Sequence, residues 1–353
     1  MIVIEMKVAL FTYFASSSYG ATLQTYATIK MLKELGHEVS LVNYVIPEPP
    51  RSFLITFLLF LKMVRLKRFR KKFYEEFLTQ PYLYFEDLQK RPPLADVYLI
   101  GSDQTWNPEI SREKARGYFL DFGEKYVKRV TYAASFGKEQ WDDTPWMNRE
   151  EAKKLLLRFD KILIREQSGK RILHDVFGLE SEQVLDPVLM FIGYPEITGK
   201  LAEVDELVTF KLQDSNLFYD KMRSLSLSLD VPARILGSLR RKKGFRGAYP
   251  EGLEDWLRAI ANAKYVVTDS FHGLVVSLLY HRPFLTCMAI PERFARLRDL
   301  LIMLGLEERI FSESDDENII KDKMMKPIDW NTIDHYLEKQ RKLSINLLKE
   351  ALS

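Results

Sequence analysis

Four stretches of this 353-residue chain bring together side chains able to hold an anion or move a proton. In Thr268-Asp-Ser-Phe-His-Gly273, a strand-like run opens a helix, placing His272 in the first helical turn next to Asp269. Imidazole gives and takes protons near neutral pH, so this histidine is a candidate acid and base; a structural histidine is the competing reading. Gly101-Ser-Asp-Gln-Thr-Trp-Asn-Pro108 follows an apolar strand and sets Ser102, Asp103 and Gln104 at its carboxyl end, where α/β folds bind ligands. Trp106 is expected to stand exposed there and offer a flat face to a sugar ring. Arg165, ending another strand-like run, could grip a carboxylate or phosphate with both arms of its guanidinium, or simply belong to a helix-capping cluster with Glu166. The Ser-rich turn before Gly20 and Gln24 presents a helix N-terminus after the first strand, suited to an anion or sugar hydroxyl. Arg240 to Lys243, Arg293 and Arg296 are further anion candidates or plain surface charge.

Other chemistries lack support. The five histidines show no HxxH or HExxH spacing, and Cys287 is the single cysteine, so neither a transition-metal site nor a disulfide framework is expected. No GxGxxG or GxxxxGK[ST] supports a dinucleotide or P-loop site. The net charge of +3 hides a local excess: Arg51 to Tyr74 contains eight basic residues and no acidic one, leaving the rest of the chain net acidic. Nucleic acid is therefore not an expected partner.

The elements that must position these groups alternate between strand and helix. Strand-like runs at 6–13, 38–44, 95–101, 129–135, 161–164, 206–212, 233–236 and 265–268 are separated mostly by helical segments, which predicts α/β architecture with parallel sheets covered on both faces. Phe191 to Lys200, with its Gly, Pro and Thr, reads as the hinge between two Rossmann-like lobes: 1–190 and 191–328, with 329–353 a long amphipathic helix packing back on the first. The N-terminus lacks the basic region and cleavage site of a secretion signal, so a cytosolic location is expected. Ser52 to Val64 is too short and charged to span a bilayer; with the basic run Arg65 to Lys72 it reads as a peripheral helix for an anionic membrane surface, or as a buried helix with a basic tail.

Taken together, the segments resemble the polysaccharide pyruvyl transferase family. The resemblance rests on SYGATLQTYA (18–27), GSDQTWNP (101–108), YAASFG (132–137), IREQSG (164–169), VLDPVLM (184–190) and VTDSFHGLVVSLLYHRPF (267–284), in this order. It implies a GT-B-like pair of Rossmann-type lobes, acceptor side first and donor side second, with the active site in the cleft between them. The implied reaction moves a pyruvyl group from phosphoenolpyruvate, a substrate and not a resident cofactor, to two hydroxyls of a glycan precursor, lipid-linked or free, in surface polysaccharide synthesis. By the same resemblance His272 is the functional histidine and Arg165 an arginine associated with the anionic donor. Asp269 becomes a partner orienting His272, and Asp103 an acceptor-side base. Ser270 holds a place where many members carry Arg, so Arg293 or Arg296 is expected to supply the donor's countercharge. Two other readings stay open: a GT-B glycosyltransferase using a nucleotide sugar, and an inactive membrane-surface assembly protein that keeps the fold.

Overall fold

The computed structural model describes residues 5–45, 53–238, 241–247, 251–288 and 294–353. The chain divides into two units: one of 1–48, 70–190 and 337–353, the other of 49–69 and 191–336. The division thus falls inside the helix Phe53–Phe73, whose residues up to Phe69 cluster with the second unit, whereas the lobe boundaries expected from sequence place them in the first.

In the first unit, strands β1 (Lys7–Phe11), β2 (Glu38–Leu41), β3 (Val97–Ile100) and β4 (Lys128–Thr131) lie parallel in the order β2-β1-β3-β4. Single bridges Val130 to Lys161 and Ala134 to Ile164 continue the ladder from β4 to the short pair β5 (Leu163–Ile164) and β6 (Glu182–Gln183). The resulting order is that of a doubly wound sheet whose direction of winding reverses between β1 and β3. All four β3 residues, Val-Tyr-Leu-Ile, are buried, as a central parallel strand requires. At the reversal point the chains approach closely: a Cβ on Gly101 would lie 2.9 Å from Leu10 Cδ1 and 3.3 Å from Thr12 Cβ. Glycine therefore lets the β3 exit run beside the β1 exit.

The second unit builds a six-stranded parallel sheet from β7 (Val204–Phe210), β8 (Ala233–Leu236), β9 (Phe245–Arg246), β10 (Ala263–Thr268), β11 (Phe284–Cys287) and β12 (Ile310–Phe311), in the order β12-β11-β10-β7-β8-β9. Counted within the unit this is 6-5-4-1-2-3, the Rossmann order, and its reversal point lies between β7 and β10. All nine residues of the helix Phe271–Leu279 after β10 are buried, consistent with its apolar sequence Leu-Val-Val-Ser-Leu-Leu. The expected hinge region is already folded: Tyr194 is fully buried, and its N–H donates to the Tyr280 hydroxyl at 3.1 Å within the second unit.

The C-terminal helix spans Trp330–Leu352. Its first turns belong to the second unit, where His281 stacks on Trp330 and its Nε2 lies 2.9 Å from Asp334 Oδ1. From Leu337 onward the helix belongs to the first unit: buried Ser344 accepts a hydrogen bond from the Leu185 N–H at 3.0 Å, and Arg341 Nε donates to the Leu189 carbonyl at 2.6 Å. Ser344→Ala leaves the buried Leu185 N–H without its acceptor and is expected to cost about 1–3 kcal/mol, read as a lowered midpoint in urea with unchanged slope. An unchanged midpoint would mean that another acceptor takes over that N–H.

Candidate functional site

At the carboxyl edge of the first sheet the loop after β1 is shaped from within. Arg70, buried although it belongs to the basic run, donates through Nη1 to the Ala15 carbonyl at 3.2 Å and through Nη2 to the Ser16 carbonyl. Ser18 caps the helix Tyr19–Glu34, its hydroxyl accepting from the Ala21 N–H at 3.3 Å, with Gly20 buried in the first turn. Gln24 is buried as well, and its Nε2 donates to Thr12 Oγ1 at 2.7 Å and to the Ala21 carbonyl at 3.0 Å. These contacts tie the helix to the end of β1, so the Gln24 amide nitrogen serves the fold.

The loop after β3 meets β5 through charge. Arg165, with 2% of its side chain exposed, lies 3.0 Å from Asp186 Oδ2 and 3.3 Å from Glu166 Oε2, and donates to Ser102 Oγ at 3.2 Å. Ser102 in turn donates to Asp186 at 3.0 Å. Burial works against the guanidinium charge, and Glu166 and Asp186 more than restore it, holding the arginine above its ordinary pKa. This corrects the expectation of an open anion receptor: the arginine is fully buried and faces two carboxylates of its own chain. Asp103 sits beside this cluster in a left-handed backbone conformation, φ 81°, with Oδ1 accepting from the Gln104 N–H at 2.9 Å. Gln104 is half-buried and its Oε1 accepts from Asn107 Nδ2 at 3.4 Å.

Trp106 requires a second correction. It is fully buried, stacked on Phe119 at 5.8 Å and close to Phe136 and Phe159, and its indole N–H donates to the Tyr118 carbonyl at 3.2 Å. Its ring is core, because the loop after β3 folds inward over an aromatic cluster instead of projecting to solvent.

The second sheet gathers its polar groups at the ends of four strands. Lys211 follows β7, Asp269 follows β10, Cys287 ends β11 and Glu313 lies just beyond β12. The Lys211 ammonium is fully buried, 2.9 Å from Glu313 Oε1, 3.6 Å from Asp269 Oδ2 and 3.7 Å from Cys287 Sγ. Burial opposes its charge, and the neighbours Cys287, Asp269 and Glu313 raise its pKa above the ordinary value. Burial pushes the Cys287 thiol up to about 12, so it stays protonated. Both Asp269 oxygens accept from the main chain of the β7 loop, from Leu212 at 2.6 Å and Gln213 at 3.0 Å. Asp269 thus holds the two strand ends at the reversal point together, a different duty from the expected orienting of His272.

Ser270 caps the helix Phe271–Leu279: its hydroxyl accepts from the Gly273 N–H at 3.4 Å, and its own N–H donates to Thr268 Oγ1 at 3.0 Å. His272 sits in the first turn, 6% exposed, packed edge-on against Phe271 at 5.3 Å. Arg296 is half-buried on the helix Ala295–Leu304; Arg240 and Arg293 lie outside the described residues. Among the described residues, no group of three or more His, Cys, Asp and Glu side chains could hold a metal ion.

Four further polar residues at the sheet edges are not among the candidates named above. Asp186 lies in Val184-Leu-Asp-Pro187, and Lys211 is the first charge after the apolar β7; that position was the available signal. Glu313, which meets the site only through the sheet, had none. Glu251 accepts from the Gly237 N–H at 3.0 Å at the carboxyl end of β8 and is buried, which pushes its carboxyl up to about 7.

A family model described as polysaccharide pyruvyl transferase matches residues 19–289. No curated protein matches the sequence. Among solved structures, UDP-N-acetylglucosamine 2-epimerase from Rickettsia bellii superposes with TM-score 0.58 at 12% identity, covering 98% of this chain and 96% of that one. UDP-GlcNAc 2-epimerase from Neisseria meningitidis, bound to UDP-GlcNAc, gives 0.52 at 10% identity, covering 98% and 99%. An α-glucosyltransferase in complex with UDP gives 0.52 at 9% identity, covering 98% and 95%. At such identities the likeness concerns the fold, which is GT-B-like with Rossmann-like units.

Two substitutions test the buried charges. Arg165→Ala strands Asp186 and Glu166 in the interior and is expected to destabilise the protein by about 3–5 kcal/mol in denaturant titrations; a loss below 1 kcal/mol would show that the carboxylates do not depend on it. Glu251 holds its proton more tightly folded than unfolded. Its contribution to stability is therefore complete below the unfolded carboxyl pKa and is lost as pH rises through about 7. Glu251→Gln is expected to remove that part of the decline in melting temperature between pH 5 and 8; identical pH profiles would contradict the burial effect.

Proposed function

The chain belongs to the polysaccharide pyruvyl transferase family, and from that premise we propose that it transfers a pyruvyl group from phosphoenolpyruvate to two hydroxyls of a glycan precursor, closing a cyclic ketal and releasing phosphate. The observation that carries this reading is that the family match, 19–289, contains the polar groups gathered at the ends of β3 and β5 and those at the ends of β7 and β10, including Asp103, Arg165, Lys211, Asp269 and His272.

The chemistry sets the demands. A proton added to the methylene carbon of phosphoenolpyruvate creates an oxocarbenium-like centre that one sugar hydroxyl attacks. Loss of phosphate regenerates such a centre, and the second hydroxyl closes the ring. Each hydroxyl gives up one proton, of which one ends on the methyl carbon and the other on the departing phosphate, so a group that both gives and takes protons is needed. His272 fills that role in this reading, its ring fixed by Phe271 and its backbone by the Ser270 cap. Asp103 is the acceptor-side base. In this reading the helix Phe271–Leu279 turns its positive end toward a phosphate or carboxylate, and Arg296, on the helix Ala295–Leu304, is the cation assigned to the other anionic end. Ser270 contributes what an arginine could not, a short hydroxyl that closes the helix start. Arg165 acts through Ser102 and Asp186, as a positioning residue. The setting in this reading is surface polysaccharide synthesis.

The reading is tested by incubating the protein with phosphoenolpyruvate and candidate glycans and following phosphate release together with the mass of the glycan. One pyruvyl ketal gained per phosphate released is expected. Transfer from a nucleotide sugar, with no product from phosphoenolpyruvate, would overturn it in favour of glycosyl transfer. His272→Asn is expected to lower kcat roughly 10²–10⁴-fold with little change in melting temperature. A lowered melting temperature with near-normal kcat would make the histidine structural.

A further inference from the structure

The helix Phe53–Phe73 has a face that the transfer reaction does not use. Leu66, Phe69 and Arg70 are buried, whereas Lys67, Arg68, Lys71 and Lys72 are exposed. None of these four is in an ion pair with a described residue, and the helix contains no acidic residue. Phe60 stands out beside them, 59% exposed. At 100° per residue, Lys67 and Lys71 fall within about 20° of the direction of Phe60, while Arg68 lies about 80° and Lys72 about 120° round from it. Arg65, at the far side of this stripe, is engaged by Asp255 at 3.5 Å.

We propose that this face is a peripheral docking surface for an anionic lipid bilayer, with the four cations against the headgroups and Phe60 at the acyl boundary. Charge complementarity argues for an anionic partner: the helix carries seven basic residues and no acidic one, whereas the chain outside it is net acidic, so a negative surface attracts this face and repels much of the rest. The aligned aromatic ring selects lipid, because phosphate alone gives a phenyl ring nothing to enter. No described helix is long and apolar enough to cross a membrane, which fits a helix lying on the surface. The proposal does not depend on the pyruvyl transfer reading.

The full-length protein is mixed with vesicles of phosphatidylcholine alone or with a third phosphatidylglycerol, and bound protein is measured by co-sedimentation. Binding to the anionic vesicles only, lost in high salt, is expected. The quadruple variant Lys67→Gln, Arg68→Gln, Lys71→Gln, Lys72→Gln should reduce partitioning at least about 100-fold. Phe60→Ser should reduce it about tenfold while leaving all four charges. Binding that ignores lipid charge, or is unchanged in the quadruple variant, overturns the proposal. So does equal binding of wild type and Phe60→Ser to vesicles and to heparin, which would make the face a general polyanion site.

Discussion

A guanidinium or ammonium removed from water needs acceptors in contact, main-chain carbonyls or carboxylates, and each unit of this protein places a cation held by carboxylates at the carboxyl ends of its parallel strands. Arg165 has Asp186 and Glu166; Lys211 has Glu313 and Asp269. The partners come from different strand ends, so each cluster fixes several loops at once. The loops it fixes carry Ser102 and Asp103 in one unit and Ser270 and His272 in the other. Removing the central cation leaves carboxylates wholly or partly buried without compensation, so substitutions at these sheet edges are expected to cost the fold more than those at exposed positions.

Much of this frame was legible in the sequence. Continuous apolar runs such as Val97-Tyr-Leu-Ile100 and Tyr265-Val-Val-Thr268 marked central parallel strands, and the polar residues directly after them marked the sheet edges. Strands β9 and β12, two residues each, carry too little pattern to be seen, and β11 follows Arg282-Pro283 with no alternation. What local sequence could not reveal was the direction in which side chains point. Trp106 follows a strand end like an exposed recognition residue, yet the loop turns it into a cluster with Phe119, Phe136 and Phe159 that forms only in three dimensions. Arg165 and Asp186 are 21 residues apart, and no spacing rule joins them.

The replacement of an expected arginine by Ser270 gains a physical meaning from the structure. The serine hydroxyl satisfies the Gly273 N–H at the start of a fully buried helix, and a Cβ on Gly273 would come within 2.5 Å of Thr268 Oγ1. The turn between β10 and the helix is therefore tightly specified, with His272 carried on its first coil. A rigid, nearly dry histidine beside a helix N-terminus suits proton transfer to carbon, since the proton donor need not reorganise during the step.

The central claim, that the pyruvyl group comes from phosphoenolpyruvate by protonation of its methylene carbon, is tested most directly by running the reaction in heavy water and determining the isotope content of the product glycan. The account predicts one solvent-derived deuterium in the methyl group of the ketal for each pyruvyl group transferred, with labelled ketal forming roughly 10²–10⁴-fold more slowly in His272→Asn. A ketal whose methyl carries no deuterium, or a product bearing an added sugar and no pyruvyl group, would contradict it.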